Sequence, residues 1–217
     1  LPGPGCPRRR PARRCKRPVR HRPRGIPEEN DMIIPQKTYR EPSYDVVIGI
    51  CGPISTGKTE VAEYIRQRGF NYIRYSQVLA LDIARKSTTI DRATLQQEGW
   101  GIYDGAKQYE LNKRLEEHIC GSRYVVVDGM RHCEDFTYWK ERCFSRFHMI
   151  YIETDFYIRE SRYVNKKDTS VEYSDALAHP VESHVLSLYD KADFIVDNNG
   201  SKEDLYREID KILDKIL

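Results

Sequence analysis

The chain of 217 residues contains no apolar run approaching roughly 18 residues, which excludes a membrane-spanning helix. Its six cysteines (Cys6, Cys15, Cys51, Cys120, Cys133 and Cys143) form no Cys-x-x-Cys pair and show no Cys/His spacing of a zinc site. This usage points to a reducing, cytoplasmic setting. Cys51, at a strand end, and Cys120, at the end of a helix pattern, read as small buried apolar residues. There is no internal repeat and no second core. Acidic residues are absent before Glu28, whereas residues 1–27 hold ten arginines and lysines and seven prolines. Such a segment has almost nothing apolar to bury against the entropy of ordering.

Residues 1–40 are therefore expected to be a disordered basic leader, or an upstream extension of a frame whose natural start is Met32. A nucleic-acid-binding arm and a transit peptide are the weaker readings. The prolines oppose the amphipathic helix that a transit peptide needs. The whole chain has 36 basic and 33 acidic residues. Without the ten basic residues of the leader the balance is 26 to 33, a net −7, so the body itself offers nucleic acid no basic groove.

Residues 41–217 are expected to form one domain of alternating strands and helices. Val46–Cys51 is a continuous apolar run, as a strand buried on both faces requires. Further strands are predicted over 71–75, 124–127, 147–152 and 192–196. Helices are predicted over 59–68, 77–85, 92–99, 106–119 and 136–142, with others beginning at Asp155 and after Ser201. Leu111, Leu115 and Ile119 recur every four residues, and Leu205, Ile209, Ile212, Leu213 and Ile216 make one helical face. Ser201 with Asp204 three residues on is a helix-start pattern. This alternation predicts an α/β fold: a parallel sheet with helices on both faces.

Gly52-Pro53-Ile54-Ser55-Thr56-Gly57-Lys58-Thr59 follows the first strand and opens a helix, and fits G-x-x-x-x-G-K-[ST]. Backbone N–H groups in such a loop point at an anion, and glycine lets the backbone approach it. Gly52, Ser55, Thr56, Gly57, Lys58 and Thr59 are candidate ATP ligands, with Lys58 supplying charge and Thr59 suited to Mg²⁺. Asp128 follows the strand Tyr124–Val127 at the sheet's ligand-binding edge. It either holds Mg²⁺, directly or through water, or accepts the proton of an attacking hydroxyl; a turn aspartate before Gly129 is the structural alternative. Phosphoryl transfer also needs positive charge around the moving group and exclusion of water. Arg159 and Arg162 lie one helical turn apart and are candidate catalytic cations; Lys166 and Lys167 read as solvated. Arg131, just beyond Asp128, is the candidate ligand of the acceptor phosphate.

With "GPISTGKT", "GFNYIRYSQVLA", "RATLQQEG", "VVVDGMR", "RESR" and "ADFIVDNNGS" in this order, residues 46–217 resemble the P-loop nucleoside and nucleotide kinases, in particular the dephospho-CoA kinase-like and deoxynucleoside monophosphate kinase-like branch. The resemblance implies a P-loop NTPase three-layer sandwich with a five-stranded parallel sheet and a helical lid. It implies ATP with Mg²⁺ and γ-phosphoryl transfer to a small nucleotide. Carried across, Ser76 and Arg85 fall where the acceptor is held, Arg159 and Arg162 in the lid, and Asn198 and Gly200 in the loop against adenine. Two departures stand out. Many relatives place an aspartate where this chain has Tyr75-Ser76-Gln77, and the lid's later basic positions are lysines rather than arginines. His179-Pro180-Val181-Glu182 either shapes the acceptor pocket or starts a helix. The acceptor expected is a (deoxy)nucleoside monophosphate, with dephospho-CoA the alternative. A sugar acid is weaker, and aromatic Tyr75, Trp100 and Tyr103 near the pocket would favour a stacked base. An ATPase without a small acceptor is the remaining class.

Overall fold

The structure, a computed structural model, describes residues 44–86, 92–166 and 171–217. The expected leader 1–40, the Met32 start, Lys167 and the side chain of Arg85 lie outside the described residues.

The run VVIGIC forms β1 (Val46–Cys51) and is buried along its whole length. It is joined by β2 (Asn71–Arg74), β3 (Tyr124–Met130), β4 (Phe147–Glu153) and β5 (Phe194–Asp197). The sheet order is β2-β3-β1-β4-β5 and every pairing is parallel. The chain leaves β1 towards one edge to make β2 and β3, then crosses to the other side for β4 and β5. The C-terminal end of β1 is therefore the switch point at which open α/β sheets bind ligands.

The helices are α1 (Lys58–Arg66), α2 (Tyr75–Lys86), α3 (Arg92–Asp104), α4 (Gln108–His118), α5 (Cys133–Cys143), α6 (Phe156–Val164), α7 (Tyr173–Ala178), α8 (Pro180–Leu186) and α9 (Lys202–Ile216). The two-residue period of β1 divides it between two cores. Val46, Ile48 and Ile50 pack with Val61, Ala62 and Ile65 of α1 and with Leu205 and Ile209 of α9. Val47 and Cys51 pack with Leu111 and Leu115 of α4 and Tyr138 and Trp139 of α5. The result is the three-layer sandwich that the alternation predicts. Truncating one of the buried isoleucines to alanine would cost about 2–5 kcal/mol. On the second face a Cβ at Gly49 would run into Met130 Sδ and come within 2.9 Å of the Phe147 ring. Both neighbours are buried, so neither has space to retreat.

A third, smaller cluster joins Ile54 of the phosphate loop to Tyr163 of α6 and to Tyr173 and Ala176 of α7. α6 carries Arg159 and Arg162, the residues expected in a lid.

Several boundaries differ from the sequence pattern. β3 continues through Asp128 and Gly129 to Met130. Ile50 pairs with Asp128 but Cys51 with Met130, so Gly129, at φ +90°, is the extra residue of a bulge. Asp128 therefore lies inside the strand rather than in a turn. α3 runs past Gly99 and Gly101 because Leu95 and Ile102 pack against the core, which outweighs the roughly 1 kcal/mol a helical glycine costs. α5 opens earlier, at Cys133, where the backbone N–H of His132 donates to Asp135 Oδ2 (3.0 Å). α7 was not visible in the sequence, since packing on Ile54 rather than a periodic pattern holds so short a helix. Cys120 is exposed, not buried, because it lies in the turn beyond α4; Cys51 is buried as expected.

Candidate active site

The loop between β1 and α1 is held by its ends. Gly52 sits at φ +138° against the carbonyl of Ile152, and Gly57 at φ +96° against the Asn198 side chain, so neither position admits a Cβ. Ser55 holds φ +62°, an uncommon conformation for a residue with a side chain, and its Oγ is buried with no hydrogen-bond partner. Asn198 Nδ2 donates to the Thr56 carbonyl (2.7 Å), and Thr154 Oγ1 donates to the same carbonyl (3.3 Å). The loop is thus fastened to the ends of β4 and β5. Lys58 Nζ donates to the carbonyls of Gly52 (2.7 Å) and Pro53 (2.6 Å).

The strand alternation places Tyr72, Arg74 and Asp128 on the face that carries α1. Thr59 Oγ1 (3.1 Å), Tyr72 Oη (3.0 Å) and Arg74 Nε (3.0 Å) all donate to Asp128 Oδ2. Arg74 Nη2 also reaches Thr59 Oγ1. Burial, then the Asp128 charge, raise the Tyr72 hydroxyl well above its ordinary value, so it stays a donor. Sequence reasoning missed Tyr72 and Arg74. Their signal was the two-residue spacing on the strand that borders β3.

A cavity of about 840 Å³ opens beside the loop, lined by Lys58, Thr59, Arg74, Ser76, Asp128 and Arg131 among others. Of the predicted acceptor residues, Ser76 and Arg131 thus meet there. Arg131 Nη1 is paired with Glu182 Oε1 (3.0 Å), and the other oxygen of Glu182 accepts from the backbone N–H of Ile54 (3.2 Å). Of the 179–182 segment, then, Pro180 does begin a helix and Glu182 does reach the site.

Behind Arg131 lies a buried polar knot. Asp135 accepts from the backbone N–H groups of Arg131 and His132 (3.0 Å each), from Gln108 Nε2 (2.5 Å) and from Asn112 Nδ2 (2.9 Å). Burial raises its carboxyl above the usual range against the pull of these donors. Tyr75 joins the knot through Asn112 Oδ1 (2.5 Å), and Trp139 Nε1 donates to Tyr75 (3.2 Å). Of the three aromatic residues named from the sequence, Tyr75 and Trp100 line the cavity. Tyr103 stacks on His132 instead, with ring centroids 4.1 Å apart.

A second recess of about 380 Å³ lies on the other side of the loop and is lined by Ser55, Gly57, Arg162, Lys166, Asn198 and Gly200 among others. The predicted nucleotide residues Asn198 and Gly200 come together here with Arg162, which was expected in a lid. Arg162 Nη2 donates to the Asn198 carbonyl (3.1 Å), while its Nη1 is buried with no partner. Arg159 donates to the Thr154 carbonyl (3.0 Å) and lines neither space.

These residues fit ATP with Mg²⁺. Gly52 and Gly57 sit at positive φ in the loop, and Ser55 Oγ and Arg162 Nη1 are buried without partners. Thr59 and Asp128 supply hard oxygen atoms side by side. Among the described residues no group of three or more His, Cys, Asp or Glu forms a metal cage. One hydroxyl and one carboxylate suit Mg²⁺, which commonly takes few protein ligands and completes its shell with phosphate and water.

The fold and loop define a P-loop protein with the architecture of the P-loop kinases. The chain belongs to the AAA domain family, whose profile matches residues 48–179. It is 28% identical over 175 residues to a UPF0200 protein of Pyrobaculum aerophilum, covering 77% of this chain and 96% of that one. It is 20% identical to a dephospho-CoA kinase of Fusobacterium nucleatum over 79% of this chain and 98% of that protein. In structure it is similar to the shikimate kinase of Aquifex aeolicus, with a TM-score of 0.53 at 17% identity over 78% and 96% of the two chains. Among the described residues no helix is long and apolar enough to cross a membrane.

Proposed function

We propose that the protein is an ATP-dependent phosphotransferase acting on a nucleotide, a nucleoside or deoxynucleoside monophosphate. One observation carries this reading: the phosphate loop separates two spaces, and Ser55 and Gly57 line both. Lys58, Thr59 and Asp128, where the phosphates and cation would lie, line the larger cavity, which an ATPase would need only at that end. The same cavity continues past them to Ser76, Trp100 and Arg131, which gives a second substrate a place beside the phosphates.

ATP supplies the phosphoryl group and Mg²⁺ would balance its charge, held by Thr59 and Asp128. Lys58 faces the phosphates from the helix N-terminus, where the dipole adds positive potential. Arg162 offers its unpaired Nη1 on the donor side. Arg131 presents its guanidinium to the acceptor, held in place by Glu182. A nucleoside monophosphate attacks through a phosphate oxygen that is already ionised, so no strong base is needed. Asp128 is accordingly assigned to the cation.

The second reading is a dephospho-CoA kinase, favoured by the likeness to the Fusobacterium enzyme along nearly its whole length. Its acceptor is a hydroxyl, which would turn Asp128 towards proton acceptance. The test is ADP release with ATP-Mg²⁺ and a panel of nucleoside monophosphates, dephospho-CoA, shikimate and gluconate. Release with nucleoside monophosphates alone supports the first reading. Release with dephospho-CoA alone replaces it, and no release with any acceptor removes both.

A further inference from the structure

The far end of the large cavity has a chemistry distinct from its phosphate end. Its lining there is largely apolar, with Leu79, Leu95, Leu111 and Trp100. Two side-chain amides interrupt it, Gln96 on α3 and Gln108 at the start of α4. Gln96 Nε2 and Gln108 Oε1 are both buried without a hydrogen-bond partner. Buried polar groups are costly when left unpaired, so a structure that keeps two of them in one cavity wall needs a reason.

The orientation of Gln108 is fixed by its neighbour. Its Nε2 donates to Asp135 Oδ1, and Asp135 is held as an acceptor by two backbone N–H groups and Asn112. The Gln108 oxygen is therefore left to accept. No bond fixes the Gln96 amide, whose Nε2 has no partner, so it can turn to donate or to accept. We infer that Gln96 and Gln108 read the hydrogen-bonding edge of a heteroaromatic base, with Trp100 and the leucines against its faces. A base edge carries a donor and an acceptor on adjacent atoms, which is what this pair lacks. A carboxylate has only acceptors and would leave Gln108 Oε1 unpaired, so the anionic end of a sugar acid is a poor occupant. The inference rests on the kinase reading only for which cavity holds the acceptor, and names the residues that select it.

The test is equilibrium binding by calorimetry, separate from ADP release. AMP, GMP, CMP, UMP, ribose 5-phosphate and shikimate are titrated into the full chain and into Gln96→Leu and Gln108→Leu. At least one nucleotide should bind more tightly than ribose 5-phosphate, which lacks the base. Gln96→Leu should weaken that nucleotide about tenfold or more while leaving ribose 5-phosphate and ATP unchanged. Gln108→Leu should do the same, and a melting curve identifies any folding defect from the lost bond to Asp135; Gln96→Leu touches no such bond and decides the matter by itself. Nucleotides binding no better than ribose 5-phosphate, or a Gln96→Leu variant with unchanged nucleotide affinity, would overturn the assignment. Absence of ADP release alongside base-dependent binding would remove the kinase reading and leave this one standing.

Discussion

Thr59 Oγ1 donates to Asp128 Oδ2 across 3.1 Å, tying the first turn of α1 to the interior of β3. Removing either oxygen should raise the Mg²⁺ concentration needed for turnover. Thr59→Val and Asp128→Asn are expected to lower kcat by about 10²-fold or more. A Mg²⁺ titration of ADP release reads this, and normal metal dependence in both variants would refute the pairing as a cation site.

Lys58 spans the loop, bonded to the carbonyls of Gly52 and Pro53. Lys58→Ala should cut turnover by about 10²–10³-fold or more, with a circular dichroism spectrum like that of the unaltered chain. Near-normal turnover would contradict its role at the phosphates.

Glu182 is 7% exposed and serves two partners, Arg131 and the Ile54 backbone. Glu182→Ala leaves both unpaired and should lower unfolding free energy by about 2–3 kcal/mol, read by urea denaturation. Arg131→Ala should instead raise KM for the acceptor more than KM for ATP. An effect on ATP alone would place Arg131 on the wrong side of the loop.

His132 is buried at the start of α5, and burial, then the neighbouring His184 charge, lower its imidazole from 6.5 to about 4. Between these values the unfolded chain binds a proton that the folded chain refuses. The contribution to stability is full above about pH 6.5 and is lost as pH falls towards 4, to a total of about 3 kcal/mol. The melting temperature of the protein should therefore drop across this window, and His132→Asn should drop less steeply. Parallel profiles would mean that another group sets the acid limb.

The sandwich, the loop and the parallel sense of the sheet were legible because they rest on local patterns: the buried run of β1, the spacing of the loop glycines, the period of α4 and α9. Asp128 was visible for the same reason, one residue beyond an apolar strand. What escaped depends on partners distant in sequence. Arg74 matters because β2 lies beside β3; Glu182 was named within its segment, but its two partners were not, because α8 returns to the loop 128 residues after Ile54. Nothing in a single sequence marks Gln96 and Gln108 as unpaired. Their state follows from where Asp135 places its lone pairs.

Gly49 shows how little room the centre of the sheet leaves. It is not needed for an unusual backbone angle; it is needed because Met130 and Phe147 already occupy the space beside it. In the genetic code every change at the first or second base of a glycine codon adds a side chain or a stop. Codon 49 should thus tolerate silent third-base changes alone, and in a saturation library it should be among the positions most depleted of missense variants, although it lines neither cavity.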